Sequence, residues 1–401
     1  MKNYSLIIVG GGAAGLMLSA MLNHERTLLL ERGERVGRKL SATGNGQGNV
    51  TNLAVGQTDY FSQSENGNAR VQAILQKYGA KEMLAFLEGL GGLFLPDERG
   101  RVYPTGRQAS AVTDLLRFAV SDKVEIRLNA FAHAIEKTAN GFRVVVREAD
   151  GERAYFADKV VLCAGGKAAK NFGTDGNGYA LAKSLSHTVT RLYPSLVQLK
   201  TETAHVKGLK GLRANAARVT ALVDGKEIAT VRGDVIFTDY GVSGDAIFRL
   251  SAFVADKIED GRVSLSIDFL PDVTEQTLCA ALQNRAGKKG LTDIDSLCGI
   301  VNNQIGRAIV KRFGADGNAL AKGVKAFSLA VTGSLGFDYA QVTKGGVCFD
   351  EVDDGLQSKL VKGLYFAGEI LDVDGECGGF NLQWAFTSAS VVAEALQRGQ
   401  V

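Results

Sequence analysis

Proline, tryptophan and paired cysteines are scarce in this sequence of 401 residues. It contains 4 prolines, 1 tryptophan and 5 cysteines, and no two cysteines have the CxxC spacing. The odd cysteine number argues against a secreted disulfide framework, and neither the cysteines nor the 4 scattered histidines have metal-ligand spacing. The apolar run at residues 6–9 is far shorter than the ~20 residues of a membrane span. We therefore expect a soluble cytoplasmic protein with no metal and no membrane partner.

An excess of either charge is also missing, whereas glycine is abundant. The 46 Lys+Arg and 43 Asp+Glu residues give a formal net charge of +3, which implies no nucleic acid partner. The 49 glycines are about 12% of the chain, against ~7% on average, so with few prolines they serve turns and close backbone approaches. The length predicts two or three domains.

The first 31 residues predict a βαβ unit with a glycine-rich turn. Residues 4–9 and 27–31 have the composition of buried strands, and residues 13–23 that of a buried helix. Between them runs Gly-Gly-Gly-Ala-Ala-Gly, in which Gly10 allows the turn, Gly12 lets a pyrophosphate approach, and Gly15 packs the helix on the strand. This context predicts FAD or NAD, contacted by Gly10, Gly12, Ala14, Gly15, Glu31 and Arg32, with Glu31 on a ribose hydroxyl. A glycine-rich turn of an ordinary α/β protein is the alternative.

The loop after the second strand favours FAD over NAD. A basic pair leads into a long polar glycine loop, where a nicotinamide dehydrogenase would continue into another crossover helix. Many flavoproteins place such a loop along the pyrophosphate, ribityl chain and flavin ring. The predicted contacts are Arg38, Lys39, Thr43, Gly44, Asn45, Gly46 and Asn49, with a solvated basic turn as the alternative.

Three later segments fit the same cofactor. A buried strand at residues 160–163 ends in Ala-Gly-Gly and is similar to the second conserved strand of two-dinucleotide-binding-domain flavoproteins. Residues 363–367 form another strand, which ends beside the predicted ribityl site. A glycine pair at residues 378–379 then starts a helix, whose N-terminal amides can stabilise negative charge on a reduced flavin. The predicted contacts are the backbone of Ala132 at the adenine, and Ala164, Gly165, Gly368, Glu369, Gly379, Asn381 and Leu382.

The middle of the chain interrupts this nucleotide-binding pattern. Residues 189–270 consist of short alternating runs, which predict a mainly antiparallel β insert, and residues 275–313 show helical spacing. We predict a discontinuous Rossmann-like domain at residues 1–188 and 328–401, a β-rich insert at 189–271 and a helical insert at 272–327. The fold class is therefore α/β.

The order of the motifs resembles that of the HI0933-like flavoproteins, also called YhiN- or BaiN-like. The resemblance covers GxGxxG, GRKL-x-ATGNG-x-x-NVTN, FTDYGVSG at 237–244, VTKGGV at 342–347, and GLYFAGE-x-LDVDG-x-x-GG-x-NLQWA. It implies a two-dinucleotide-binding-domain type FAD domain with an inserted β-barrel-like domain, a small helical domain and NAD(P)/FAD-dependent oxidoreductase activity. This chain departs from the family at Gln47 and Gly48, where Arg-Cys is usual, so a cation and a thiol expected near the flavin are missing.

The catalytic residues are less defined than the cofactor site. Tyr240, in a glycine-bounded loop beside Asp239, is the leading candidate for proton transfer, and a packed structural tyrosine is the alternative. Tyr103, Arg107 and Arg249 are weaker candidates for holding an anionic or carbonyl substrate. Cys377 lies in the predicted flavin-proximal loop and could affect flavin reactivity, although a lone cysteine is more often a small inert hydrophobic residue.

These residues predict an FAD-dependent oxidoreductase that transfers a hydride through flavin N5 to or from a small organic substrate, such as an enone or an amine. No second GxGxxG occurs, so NADH or NADPH would bind only transiently, and reductase and oxidase both remain open. An FAD-bearing RNA-binding or RNA-modifying protein is the alternative suggested by Lys200, Lys207, Lys210, Arg213 and Arg218, which otherwise form a solvated face. A non-catalytic flavin-bound redox sensor is a third hypothesis. The sequence leaves the oligomeric state open.

Overall fold

The structure, a computed structural model, describes residues 3–22, 26–56, 60–259, 261–285 and 292–398. The chain divides into two compact units. The first unit consists of Met1–Tyr193 and Val342–Val401, and the second of Pro194–Gln341. The β-rich and helical inserts expected from the sequence thus lie in one unit, while their separation into independent domains stays a prediction.

The strands and helices are numbered in chain order. The strands are β1 (Asn3–Val9), β2 (Thr27–Leu30), β3 (Thr51–Asn52), β4 (Tyr60–Phe61), β5 (Phe94–Pro96), β6 (Arg101–Pro104), β7 (Val124–Arg127), β8 (Phe131–Thr138), β9 (Gly141–Glu148), β10 (Gly151–Leu162), β11 (Tyr193–Ser195), β12 (Leu199–Thr201), β13 (Arg213–Val223), β14 (Lys226–Phe237), β15 (Gly241–Ser243), β16 (Val263–Asp268), β17 (Phe327–Ser334), β18 (Val342–Lys344), β19 (Leu364–Phe366) and β20 (Asp374–Gly375). The helices are α1 (Ala13–Met21), α2 (Gly67–Lys77), α3 (Ala80–Gly89), α4 (Ala109–Ala119), α5 (Asn177–Ser184), α6 (Asp245–Val254), α7 (Glu275–Gln283), α8 (Asn303–Phe313), α9 (Gly317–Lys325) and α10 (Phe380–Arg398).

The first unit contains a seven-stranded sheet in the order β7-β2-β1-β10-β9-β8, with β19 also paired to β10. The pairs β1–β2, β1–β10, β2–β7 and β10–β19 are parallel, whereas β8, β9 and the first half of β10 are antiparallel. The central strands are buried along their length, which explains why their sequences are continuous apolar runs. Helix α1 packs against α4 and α10. The predicted opening βαβ unit is therefore present.

The second unit is built on a closed barrel of six strands, β12-β15-β14-β13-β16-β17. Its core also contains residues of the helices, including Leu278, Ile305 and Leu320, so barrel and helices share one apolar interior. The chain enters and leaves this unit side by side, because the Gln341 N–H donates to the Leu196 carbonyl at 3.2 Å.

The structure differs from the sequence expectation in two parts of the second unit. Strand β17 pairs with β12 and β16 in the barrel, whereas the sequence pattern assigns residues from 328 onward to the nucleotide domain. Helix α6 lies within the segment predicted to be β-rich. Both segments are apolar and short, and their tertiary partners rather than their own periodicity decide their place. In the described part of the chain, no helix combines the length and apolar character needed to cross a membrane.

Candidate dinucleotide-binding site

The turn between β1 and α1 leaves no room for side chains at two of its glycines. A Cβ atom added at Gly10 would lie 2.5 Å from the Cys163 carbonyl oxygen, and one at Gly15 would lie 2.0 Å from the Gly10 carbonyl oxygen. Gly12 is different, because a Cβ atom there would meet no heavy atom of the described chain within 4 Å. The motif thus packs strand against helix at its ends and faces open space at its middle.

The open space lies at the N-terminus of α1. Gly12 is the N-cap residue and provides no side-chain hydrogen bond, and the first turn holds no acidic residue. The first amides of a helix lack intrahelical acceptors and lie at the positive end of its dipole, which favours an anion there. This arrangement fits the pyrophosphate of a dinucleotide.

The Glu31 carboxylate is fixed beside this turn by two backbone amides. Its Oε2 accepts a hydrogen bond from the Gly11 N–H at 2.9 Å, and its Oε1 accepts one from the Gly33 N–H at 2.7 Å. Each carboxylate oxygen retains acceptor capacity, so ribose hydroxyls can bind a group whose orientation is already set. Arg32 follows, with its guanidinium 2.8 Å from Asp175 and stacked over the ring of Phe131 at 4.7 Å.

An ion pair joins the loop after β2 to the segment after β19. Lys39 Nζ lies 2.8 Å from Glu369 Oε2, and Glu369 Oε1 accepts a hydrogen bond from the Thr343 N–H at 2.9 Å. The Thr343 hydroxyl in turn accepts hydrogen bonds from the Lys167 and Ala168 amides. The structure thereby brings together predicted residues 330 positions apart, but the sequence pattern gives no role to Thr343. The VTKGGV motif is the only signal for it.

The glycine loop after Lys39 is exposed at its tip and tightly packed at its base. Gly44 and Asn45 have positive φ angles of 57° and 54°, and residues 44–47 are exposed. Gly48 has a φ of 79°, and a Cβ atom there would lie 2.9 Å from the Ala109 Cα. This contact leaves no space for the cysteine usual in the family. The Asn49 amide is buried and donates to the Thr51 and Val102 carbonyls, which fixes the base of the loop.

Other residues predicted to contact the cofactor are fixed by hydrogen bonds or close packing with nearby residues of the first unit. The Thr43 hydroxyl donates to the Leu40 carbonyl, and Arg38 donates to the Asn171 carbonyl. Ala14 is buried, and a Cβ atom at Gly368 would lie 2.8 Å from the Ala14 Cβ.

The predicted contacts on β8 and after β10 are also positioned by neighbouring residues of the chain. The Ala132 carbonyl accepts a hydrogen bond from Asn177 at 3.4 Å, and the Ala164 carbonyl accepts one from the Thr174 hydroxyl at 3.4 Å. Gly165 has a φ of 70°. Hydrogen bonds within the protein therefore fix the backbone at the start of β8 and in the segment after β10.

The start of α10 packs closely on β3. A Cβ atom at Gly379 would lie 2.4 Å from the Thr51 carbonyl carbon. Asn381 bonds the backbone of Gly375 in both directions at 2.8 and 2.9 Å, while Leu382 is partly buried and packs against the core. Cys377 is partly buried in the loop that precedes this helix. The geometry holds the first turn of α10 in one position.

Asp372 is a buried acid that the sequence reasoning did not single out. Its Oδ2 accepts hydrogen bonds from the Gln63 N–H at 2.8 Å and from the Ser62 and Ser64 hydroxyls at 3.2 and 3.1 Å. Burial raises the pKa of Asp372 to about 6, and these hydrogen bonds oppose the rise. The position of Asp372 in the LDVDG motif is the available signal.

Tyr240 lies in the second unit and is partly buried in the loop between β14 and β15. Burial raises the pKa of its hydroxyl, and the charge of Asp239 adds to the rise, so the tyrosine keeps its proton at neutral pH. Asp239 itself pairs with Lys210 at 2.7 Å, and this contact lowers the pKa of Asp239. Arg249 lies on α6 of the same unit.

Three of the five basic residues considered for RNA binding face carboxylates. Lys210 pairs with Asp239, Arg213 pairs with Asp234, and Arg218 lies 3.9 Å from Asp268. Much of the positive charge expected on this surface is therefore neutralised within the unit. Among the described residues, no group of three or more His, Cys, Asp or Glu side chains is placed to hold a metal ion.

The fold combines a Rossmann-type FAD domain with a barrel-bearing second unit, and the family and relatives reported next identify the chain as an oxidoreductase. The chain belongs to the HI0933-like family, since the model described as "HI0933-like protein Rossmann domain" matches residues 4–395. The predicted family and fold class are confirmed.

Similar proteins cover nearly the whole chain. The sequence is 34% identical to a 3-dehydro-bile acid delta(4,6)-reductase of Clostridium scindens, across 97% of this chain and 98% of that one. It is 28% identical to a ribosomal RNA dihydrouridine synthase of Escherichia coli, across 99% and 98%. The structure of a flavocytochrome c3 fumarate reductase matches with a TM-score of 0.53 and 16% identity, covering 99% of this chain and 78% of that chain, and shows the same fold.

Proposed function

We propose that this chain is an FAD-dependent reductase that saturates a carbon–carbon double bond conjugated to a carbonyl group in a small organic substrate, with NADH or NADPH as electron donor. The full-length similarity to the delta(4,6)-reductase carries this proposal. The name of that relative describes double bonds that can be conjugated to a 3-oxo group. Dihydrouridine likewise differs from uridine by saturation of a double bond conjugated to a carbonyl, so both names describe one type of reaction.

The first unit offers a cradle that fits FAD, as the open position at Gly12, the uncapped helix and the fixed Glu31 carboxylate indicate. When bound, FAD supplies the hydride chemistry at its N5. We propose that Gly10, Gly12, Ala14 and Gly15 accommodate the pyrophosphate and Glu31 the ribose, with Arg32, Arg38, Lys39, Thr43, Gly44, Asn45, Gly46, Asn49, Ala132, Ala164, Gly165, Gly368, Glu369, Gly379, Asn381 and Leu382 along the rest of the cofactor.

The reduction also requires a proton for the carbon next to the carbonyl. We propose that the Tyr240 hydroxyl donates it, because this hydroxyl is partly buried in the loop between β14 and β15 and carries its proton at neutral pH. A Tyr240→Phe variant should lose roughly 10²- to 10⁴-fold in kcat while binding FAD normally. Tyr339→Phe removes the hydroxyl of an exposed neighbouring tyrosine, whose charge acts on Tyr240, and should keep most of the turnover. Unchanged turnover of the Tyr240 variant would remove this residue from the mechanism.

The proposed function is tested by anaerobic stopped-flow absorbance of the FAD-loaded protein. Mixing with NADH or NADPH should bleach the flavin band at about 450 nm, and a 3-oxo-4,6-diene steroid acid added next should restore it. A saturated steroid acid is the control and should restore nothing. Absence of bleaching with both donors would favour a substrate-reduced oxidase or a non-catalytic flavoprotein.

Reduction of uridine in ribosomal RNA is the second candidate, favoured by the 28% identical relative. The carboxylate partners of Lys210, Arg213 and Arg218 weaken it, because paired charges contribute less to phosphate binding. Restoration of the flavin band by unmodified ribosomal RNA fragments, but not by the steroid, would establish this candidate instead.

A further inference from the structure

Arg107 stands at the rim of the glycine loop in an unusual backbone conformation. Its φ is 49°, in the left-handed region that residues other than glycine rarely adopt. The Arg107 N–H donates to the Pro104 carbonyl at 2.9 Å, which closes a tight turn directly after β6. Such a conformation costs free energy and is maintained only where the surroundings enforce it.

The side chain of Arg107 is held in a defined position. Its guanidinium lies over the ring of buried Tyr103, 4.1 Å from the centroid, and its Nη1 lies 3.4 Å from Gln47 Oε1. The same tyrosine ring lies beside the glycine loop, 3.5 Å from where a Cβ atom of Gly44 would be. The charge is thus placed next to the exposed residues 44–47 before any ligand arrives.

Arg107 lacks the acidic partner that several other stacked arginines of the first unit have. Arg32 over Phe131 pairs with Asp175, and Arg117 over Phe118 pairs with Asp114. Apart from the Tyr103 ring, the Arg107 guanidinium contacts a neutral amide oxygen, and no carboxylate of the described chain lies within ion-pair distance of it. A guanidinium that is oriented, exposed and unneutralised is suited to bidentate binding of a carboxylate.

We propose that Arg107 determines substrate specificity by binding a carboxylate of the substrate. This carboxylate is a separate group from the double bond that is reduced. The inference rests on the proposed function, because it places this carboxylate beside the loop assigned to FAD. Gln47 and Tyr103 are positioning residues that fix the guanidinium. The site therefore selects an organic acid over its neutral ester.

Equilibrium binding to the FAD-loaded protein tests this role without turnover. The probes are cholanoate, a saturated steroid carboxylate, and its methyl ester, and binding is followed by calorimetry and by the flavin difference spectrum. The wild-type protein should bind the acid about 10- to 100-fold more tightly than the ester, as expected for a charge-assisted hydrogen-bond pair. Arg107→Gln should abolish this preference, and Arg107→Lys should retain part of it.

Arg117→Gln is the matched control, since it removes one stacked, exposed charge from the same unit. It should leave the acid preference unchanged, and thermal melts should show that all variants fold. The proposal is overturned if wild type binds both probes equally or neither, if Arg107→Gln keeps the preference, or if that variant weakens only NADPH binding. Failure of the proposed function would appear separately, as a protein that prefers the acid yet does not reduce a conjugated double bond.

Discussion

At the scale of single residues, the glycines of the first turn have separable physical roles. Gly15 is required because the Gly10 carbonyl lies where its side chain would begin. Gly12 has a φ of −78°, which any residue adopts, and faces open space. Packing therefore requires glycine at position 15, whereas only a ligand can require it at position 12.

Alanine substitutions should distinguish these roles. Gly12→Ala should leave the melting temperature of the FAD-free protein unchanged but weaken FAD binding at least about 10-fold, which is ~1.4 kcal/mol, because its methyl group occupies the anion site. Gly15→Ala should destabilise the FAD-free fold by about 1–3 kcal/mol through overpacking. Thermal melts and FAD titrations measure the two effects. Equal FAD affinity in Gly12→Ala and wild type would contradict the assigned pyrophosphate site.

Sequence alone predicted these glycines because their spacing and flanking elements are local. It did not predict the Lys39–Glu369 pair or the role of Thr343. Lys39 and Glu369 are 330 positions apart, and Thr343 is 176 positions from Lys167, so only the fold brings these residues together. The sequence also did not predict that the Asn49 amide is buried and donates to two carbonyls, because nothing in the sequence shows which polar side chains point into the protein.

At the scale of elements, a buried histidine ties the end of α5 to the segment before β19. His187 Nδ1 lies 2.9 Å from Glu351 Oε2, and His187 Nε2 lies 2.8 Å from Ser358 Oγ. The Ser358 oxygen accepts the Leu360 and Val361 amides, so its own proton is available for Nε2. The network is satisfied by a neutral imidazole that donates from Nδ1 to the carboxylate.

This network predicts a pH dependence of stability. Burial lowers the pKa of His187, although Glu351 opposes the shift, so the unfolded chain binds the proton more readily. Stability should therefore be complete above the ordinary histidine pKa of about 6.5 and fall as the pH drops below it. His187→Gln should cost about 1–3 kcal/mol at pH 8 and flatten this dependence, as measured by urea unfolding from pH 5 to 8. His205→Gln, in the second unit, is the control, and an unchanged slope in the His187 variant would refute the assignment.

At the scale of the whole molecule, the cofactor cradle and the barrel belong to different units. The apolar core of the first unit contains no residue from 194–341 among those that the structure describes. The sequence predicted this interruption from the change in periodicity. It assigned β17 to the wrong unit and did not predict α6. The periodicity of a short apolar segment does not indicate which hydrophobic core the segment joins.

A shortened chain tests the independence of the first unit. Replacing residues 194–341 by a short Gly/Ser linker should give a folded protein that still binds FAD, since the cradle and its core are retained. It should not reduce an enone, because Tyr240 is removed. Flavin absorbance, thermal melts and turnover measure these outcomes. A shortened chain that folds without binding FAD would show that the second unit contributes to the cofactor site.

The hydrogen bond between Gln341 and Leu196 has a consequence for how this family can diversify. A segment whose two ends are already bonded to each other can be replaced by a homologous segment without moving the chain on either side. We therefore expect that barrels from relatives with different substrates can be exchanged at this junction. Chimaeras joined there would show which half of the molecule carries substrate choice.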